Sequence, residues 1–188
     1  EEIVTLLLSD KRTDPNIILP NSGKTPLYVA CENVNEQIVT LLLGDERTDP
    51  NVPLSSSGKT SLYVACEKDD RNIVTLLLND ERTDPNCRTL GTESTPLIHV
   101  VQQNNKDLFD VILSYTKIDI NCYDSSKNTA LHYACKNTNK LMVDELINYK
   151  HDIIDPNIPN SESKTPLIIA VSKNSSPIVK RLLKIESI

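Results

Sequence analysis

The side chains with the readiest chemistry here are three histidines and five cysteines. A His set beside a Ser or Cys would make a nucleophile and base pair, whereas cysteines two to four residues apart would make a zinc site. Neither pattern occurs. His99, His132 and His151 lie far apart, with no Ser or Cys nucleophile set beside a base, and no two of Cys31, Cys66, Cys87, Cys122 and Cys135 stand within four residues of each other. Four glycines, Gly23, Gly44, Gly58 and Gly91, are too scattered for a phosphate-cradling loop. The acidic runs Asp10-Lys11-Arg12, Asp45-Glu46 and Asp80-Glu81 return at one slot, which marks a solvated loop and not a tuned carboxylate pair. Cys31, Cys66 and Cys135 each follow an Ala where Val101 and Val171 also occur, so that slot asks for a small buried hydrophobe. The expectation is a segment with no catalytic residues, no metal and no cofactor, whose cysteines remain reduced.

What positions these residues is a repeat. Asp-Pro-Asn recurs at 14–16, 49–51, 84–86 and 155–157, with Asp119-Ile120-Asn121 in the remaining slot. In phase with it run Thr25-Pro26-Leu27, Thr60-Ser61-Leu62, Thr95-Pro96-Leu97, Thr129-Ala130-Leu131 and Thr165-Pro166-Leu167. A period of this length means stacked units, none of which can bury its apolar face alone.

Each unit reads as two helices and a turn. Thr25 suits an N-cap and Pro26 the first helical position, where a missing N–H costs nothing. Leu27, Ala30 and Cys31 then share one face. A second helix carries Ile38-Val39-Leu42-Leu43, with equivalents at 73–78, 108–113, 142–147 and 178–183. Asn35, Asp70, Asn105, Asn139 and Ser175 stand three residues before these as N-caps. In the loop Pro fixes φ while Asp and Asn bond nearby backbone.

This unit resembles the ankyrin repeat, most closely at Thr129-Ala130-Leu131-His132-Tyr133-Ala134-Cys135. The resemblance covers the chain and implies an all-α, ankyrin-type α-solenoid of stacked antiparallel helix pairs with projecting β-turn/hairpin loops. It predicts a single array over 1–188: a truncated repeat at 1–16 with its outer helix only, then repeats over 17–51, 52–86, 87–121, 122–157 and 158–188. Stacked equivalents would lie about 10 Å apart, too far for a disulfide between Cys87 and Cys122. The family's His slot holds Tyr28, Tyr63, Ile98 and Ile168 elsewhere, so its contact to the next repeat is expected only from His132. Ankyrin units place Gly between the two helices, but Val34, Asp69, Asn104, Thr138 and Asn174 fill that slot. Val and Thr resist positive φ, so the left-handed residue is expected at Asn33 and Asn137 in those two units.

The resemblance also implies where a partner docks, namely the concave side made by turn tips and first-helix ends. Carried onto this chain, the recognition set is Lys24, Asn33, Lys59, Glu67, Lys68, Thr92, Gln102, Gln103, Ser125, Asn128, Lys136, Asn137, Lys164 and Lys173. Glu32 and Glu67 toward one end, against Lys136, Lys164 and Lys173 toward the other, imply a charge gradient whose C-terminal half favours acidic partner segments. A row of Leu6, Leu41, Leu76 and Val111 on the outer helices is expected to be semi-buried and not an interface.

With 38% apolar and only 4% aromatic residues, 188 residues suit many small aliphatic contacts better than one large core. A net charge of −6 argues against wrapping a phosphate backbone. The longest apolar stretch, 167–171, is too short to span a bilayer. The chain starts on an outer helix and ends on one, which points to a fragment of a longer protein, cytoplasmic, either a monomeric array or part of that chain. The function expected is a non-catalytic protein–protein interaction scaffold. The alternatives are a targeting or regulatory segment of a larger enzyme or channel, or a structural spacer in a cytoskeletal assembly.

Overall fold

A computed structural model describes residues 1–149 and 154–185. His151 and Ile188, read above as a loop histidine and a helix end, lie outside the described residues. Eleven α-helices and no strand occur among the described residues, in agreement with the all-α expectation; Tyr123 and Thr129 alone form an isolated β-bridge. The chain divides into two compact units, Glu1–Gly91 and Thr92–Ile188.

The first unit holds α1 (Glu2–Ser9), α2 (Pro26–Glu32), α3 (Glu36–Leu43), α4 (Ser61–Glu67) and α5 (Arg71–Asn79). Short inner helices α2 and α4 pack on each other, and the outer helices α1, α3 and α5 stack behind them. The second unit repeats the plan with inner helices α6 (Pro96–Gln102), α8 (Ala130–Lys136) and α10 (Pro166–Ser172), paired with outer helices α7 (Lys106–Leu113), α9 (Lys140–Asn148) and α11 (Ser176–Leu182).

Helix starts follow the sequence. Thr25, Thr60, Thr95 and Thr165 accept the amide three residues on through their hydroxyls, and Asn35, Asp70, Asn105 and Asn139 do the same for the outer helices. Ser175 stands at its N-cap without such a bond. The apolar faces go inward as read: Leu27, Cys31, Ile73, Leu77, Leu108, Phe109, Met142 and Leu146 are all buried. Leu183 and Val171, both read as buried, are exceptions at 67% and 55% exposure; they belong to the last described helix pair, which packs only on the pair before it among the described residues.

Helix ends depart from expectation. All five inter-helix slots, Val34, Asp69, Asn104, Thr138 and Asn174, take positive φ of 54–58°. Asn33 and Asn137 stay at φ −91° and −78°, so the expected one-residue slide does not happen at either site. The hydrogen-bond pattern explains why: Val34 N–H reaches Cys31 O and Asn35 N–H reaches Ala30 O, with Thr138 and Asn139 matching them onto Cys135 and Ala134. That closure needs the left-handed residue at one fixed position for the next helix to pack back, and it outweighs the cost of a β-branched residue there, about 1–2 kcal/mol. At Asn137 the side chain is also committed, since its amide donates to Val101 O at 2.8 Å.

The loops hold neighbouring repeats together. Each Asp of Asp-Pro-Asn bonds the amide two residues on, at 2.9 Å for Asp14, Asp49 and Asp84. The Asn was expected to bond locally, but it reaches the next repeat with both ends of its amide. Asn16 donates to Arg47 O and accepts from Asp49 N–H, each at 2.7 Å, and Asn51 does the same to Arg82 and Asp84. The charged slot read as a solvated loop is also structural in this unit. Asp80 grips the Arg82 guanidinium at 2.5 Å, and Arg82 donates to Leu43 O at 2.7 Å and to Glu46 O and Thr48 O at 3.0 Å, which satisfies orphan carbonyls after α3. Arg47 treats Leu8 and Thr13 alike, and its grip lowers the Asp45 pKa to about 2. Of the outer apolar row, Leu41, Leu76 and Val111 are half-buried as expected, whereas Leu6 is 72% exposed.

Candidate functional site

At four of the five projecting fingers the backbone folds back on itself. Leu19 N–H bonds Lys24 O, Leu54 N–H bonds Lys59 O, Asp124 N–H bonds Asn128 O and Asn160 N–H bonds Lys164 O. Neighbouring fingers are joined by Leu90 N–H to Ser57 O at 2.7 Å in the first unit, and by Ser125 N–H to Thr92 O and Ser161 N–H to Ser126 O in the second. Gly58 permits the first of these joins. It has φ +69°, and a Cβ there would sit 2.6 Å from Leu90 N. The finger backbones are thereby fixed, and the side chains on them are what differ.

Those side chains fall into two electrostatic patterns. In the first unit Lys24 pairs with Glu32 at 2.6 Å and Lys59 with Glu67 at 2.7 Å, each ammonium also lying 5.7–5.8 Å above a buried Tyr ring, Tyr28 or Tyr63. The partners are eight residues apart, finger to helix end, within one repeat. Glu32 and Glu67 are therefore neutralised in place, which removes the acidic end of the expected gradient. Three members of the expected set, Lys24, Lys59 and Glu67, are committed to these bridges. Asn33 and Lys68 are exposed C-caps beside them.

The second unit has lost the acid. The Glu slot holds Gln102, Lys136 and Ser172, and the Lys slot holds Ser94, Asn128 and Lys164. Asn128, Lys136, Lys164 and Lys173 line one groove between α8 and α10, of about 280 Å³, together with Tyr133, Asn160, Glu162, Ile169 and Ser172, over buried His132. Lys164 leans onto Glu162 at 2.6 Å, and that ammonium, with Lys136 farther off, lowers the Glu162 pKa. Lys136 lies 5.7 Å above the Tyr133 ring. Neither Lys136 nor Lys173 has a carboxylate within ion-pair range among the described residues. Gln102, Gln103, Thr92 and Ser125 are exposed elsewhere in this unit, and Asn137 is tied to Val101 O as described.

The groove floor is polar and fully engaged. His132 Nδ1 accepts Thr129 N–H at 3.1 Å and faces its hydroxyl at 2.8 Å, so Nε2 carries the proton and donates to Lys164 O at 3.1 Å in the next repeat. This is the inter-repeat contact expected of His132. Burial lowers its pKa, against the opposing pull of Lys164 O and Asp124. Buried Asp124 accepts Ser126 and Asn128 amides and the Tyr133 hydroxyl at 2.6 Å; burial, then that bond, pushes Tyr133 up to about 12. Asn160, buried at the following finger, accepts Glu162 and Lys164 amides and donates to Asn128 Oδ1 at 2.9 Å. Sequence reasoning passed over Asp124 and Asn160 as organisers of the groove, although both precede their Thr by five residues and could have been found by aligning the repeats.

None of the five cysteines is in a disulfide, and burial pushes Cys31 and Cys135 up to about 12, where a thiolate is scarce at neutral pH. Among the described residues no three His, Cys, Asp or Glu converge as metal ligands, and no described helix is long and apolar enough to cross a membrane.

The sequence matches the profile of ankyrin repeats (three copies) over residues 1–89, 81–159 and 97–188. No curated protein matches it. Among solved structures it is similar to the ankyrin repeat domain of Bcl-3, described as a unique member of the IkappaB protein family. That alignment has a TM-score of 0.79 at 23% identity, covering 97% of this chain and 76% of that one. A likeness at this identity carries the fold.

Proposed function

The chain belongs to the ankyrin-repeat family, whose repeats are protein–protein interaction modules, and from that premise we propose that it is a non-catalytic scaffold that binds a protein through its finger tips and inner-helix ends. The observation that carries this reading is the division of labour within each repeat. Core, caps, Asn staples and finger-to-finger bonds recur, while the exposed finger and helix-end side chains change along the array, from the Lys24–Glu32 and Lys59–Glu67 pairs of the first unit to Asn128, Lys136, Lys164 and Ser172 in the second. Positions that vary on a fixed backbone supply recognition without disturbing the fold.

Thr129 and His132 do set a hydroxyl beside a base, but both are buried and spend their bonds on the start of α8 and on Lys164 O; this and the suppression of the buried thiols support the non-catalytic part. Photo-crosslinking tests the reading. A photoreactive residue placed at Lys136 should capture a protein partner, while one at Lys140 on outer helix α9 should not. Capture at Lys140 with none at Lys136, Lys68 or Gln103 would overturn it in favour of a lateral spacer.

A further inference from the structure

We infer that the groove between α8 and α10 is a docking site for an acidic, Asp/Glu-bearing segment of the partner; this rests on the scaffold reading and gives it a chemistry. The argument comes from comparing one slot across repeats. In the first unit a finger lysine and a helix-end glutamate eight residues later close on each other, as Lys24 with Glu32 and Lys59 with Glu67. The last repeat keeps the lysine as Lys164 but has Ser172 in place of the glutamate, and the repeat before it puts Lys136 where the glutamate would be.

Lys173 adds a third ammonium at the C-cap of α10. Against three lysines the groove lining holds one carboxylate, Glu162, with Asp124 buried beneath Tyr133, so the site carries a net charge of one positive on a chain whose total is −6. A carboxylate arriving from outside would take the place that Glu32 and Glu67 fill internally elsewhere. The Lys136 ammonium, held over the Tyr133 ring, is ordered in advance for it. At about 280 Å³ the groove admits side chains of an extended segment, not a folded domain. The overall negative charge works against a long nucleic-acid backbone, whose many phosphates would meet the rest of the surface.

The test uses the whole chain and a short fluorescent Asp/Glu-rich peptide, with its Asn/Gln counterpart as control, read by anisotropy. The acidic peptide should bind, weaken as salt rises, and lose about tenfold in affinity in the variant carrying Lys136→Gln, Lys164→Gln and Lys173→Gln. The decisive variant leaves every lysine in place. Ser172→Glu restores the eight-residue pairing and should close Lys164 onto residue 172, costing about threefold in affinity. Circular dichroism checks that each variant is folded. Equal binding of the neutral peptide, binding insensitive to both sets of substitutions, or preference for a single-stranded oligonucleotide over the peptide would overturn the inference. A partner still crosslinked at Lys136 in that event would leave the scaffold reading standing, whereas no capture on the inner face would remove the scaffold reading itself.

Discussion

Thr48 and Thr83 are buried, at 2% and 4% exposure, and their hydroxyls have no hydrogen-bond partner. They occupy the slot before Asp-Pro-Asn, where the second unit carries Ile118 and Ile154. An unpartnered buried hydroxyl costs about 1–3 kcal/mol in lost hydration, and valine keeps the β-branched shape while removing it. Backbone contacts at these residues, such as Thr48 O to Arg82, do not involve the hydroxyl and survive the change. Thr48→Val with Thr83→Val should therefore stabilise the chain by about 2 kcal/mol in sum, or roughly 4–8 °C in Tm for a chain of this length. The same chemical change at Thr25 should do the opposite. Its equally buried hydroxyl accepts Tyr28 N–H at 3.2 Å, so Thr25→Val should cost about 1 kcal/mol by removing the cap. Urea and thermal denaturation followed by circular dichroism measure both. A loss of stability at 48 and 83 comparable to that at 25 would refute the reasoning, because it would mean that these hydroxyls are partnered.

Gly58→Ala should destabilise the first unit by at least about 2 kcal/mol in the same assay, combining positive φ with a Cβ 2.6 Å from Leu90 N; a neutral result would show that the finger join is not tight. Val34→Asn and Thr138→Asn should each stabilise by about 1 kcal/mol, since both slots have positive φ, Asn tolerates it, and Val34 is 45% exposed and gives up little packing; destabilisation by both would mean that the strain is absent. His132 has a folded pKa below its unfolded value of about 6.5, so its contribution to stability is complete above that pH and is lost as pH falls from there through the folded value. Acid sensitivity near pH 6 that is the same in His132→Asn would trace the effect elsewhere.

Much of this fold was legible because its local signals agree with each other. Thr caps, Pro at the first helical position and the 3–4 spacing of Leu and Ile recur in phase, and each copy corrects for noise in the others. Two things were not legible, for different physical reasons. The left-handed residue was placed by intrinsic preference, but at Val34 and Thr138 tertiary closure overrides preference by more than the 1–2 kcal/mol at stake. The bridges Lys24–Glu32 and Lys59–Glu67 span eight residues, beyond the i,i+4 reach of one helix, so only the folded finger brings them together. Of the candidate recognition set, four residues share a groove, three are committed to bridges and Asn137 is tied to a neighbouring carbonyl.

The two units solve one structural problem in different ways, and the difference bears on function. Carbonyls at the ends of outer helices need donors from the following repeat. In the first unit Arg47 and Arg82 provide them, each oriented by its own aspartate. In the second unit the Asp slot holds Tyr115 and Tyr149, and the Tyr149 hydroxyl donates to Tyr115 O. These donors sit at the loop and outer-helix side, at least ten residues in sequence from Lys136, Lys164 and Lys173, and the inner-face bonds between repeats, such as His132 to Lys164 O and Asn160 to Asn128, do not use the lysine ammonium groups. Charge on the inner face can therefore change with little effect on stacking. A stabilising bridge such as Lys59–Glu67, exposed by about a third, contributes at most about 1 kcal/mol. Giving up that bridge in the second unit costs the fold little and leaves a groove in which Lys136 and Lys173 have no carboxylate within ion-pair range among the described residues, which is the physical reason recognition can be concentrated there.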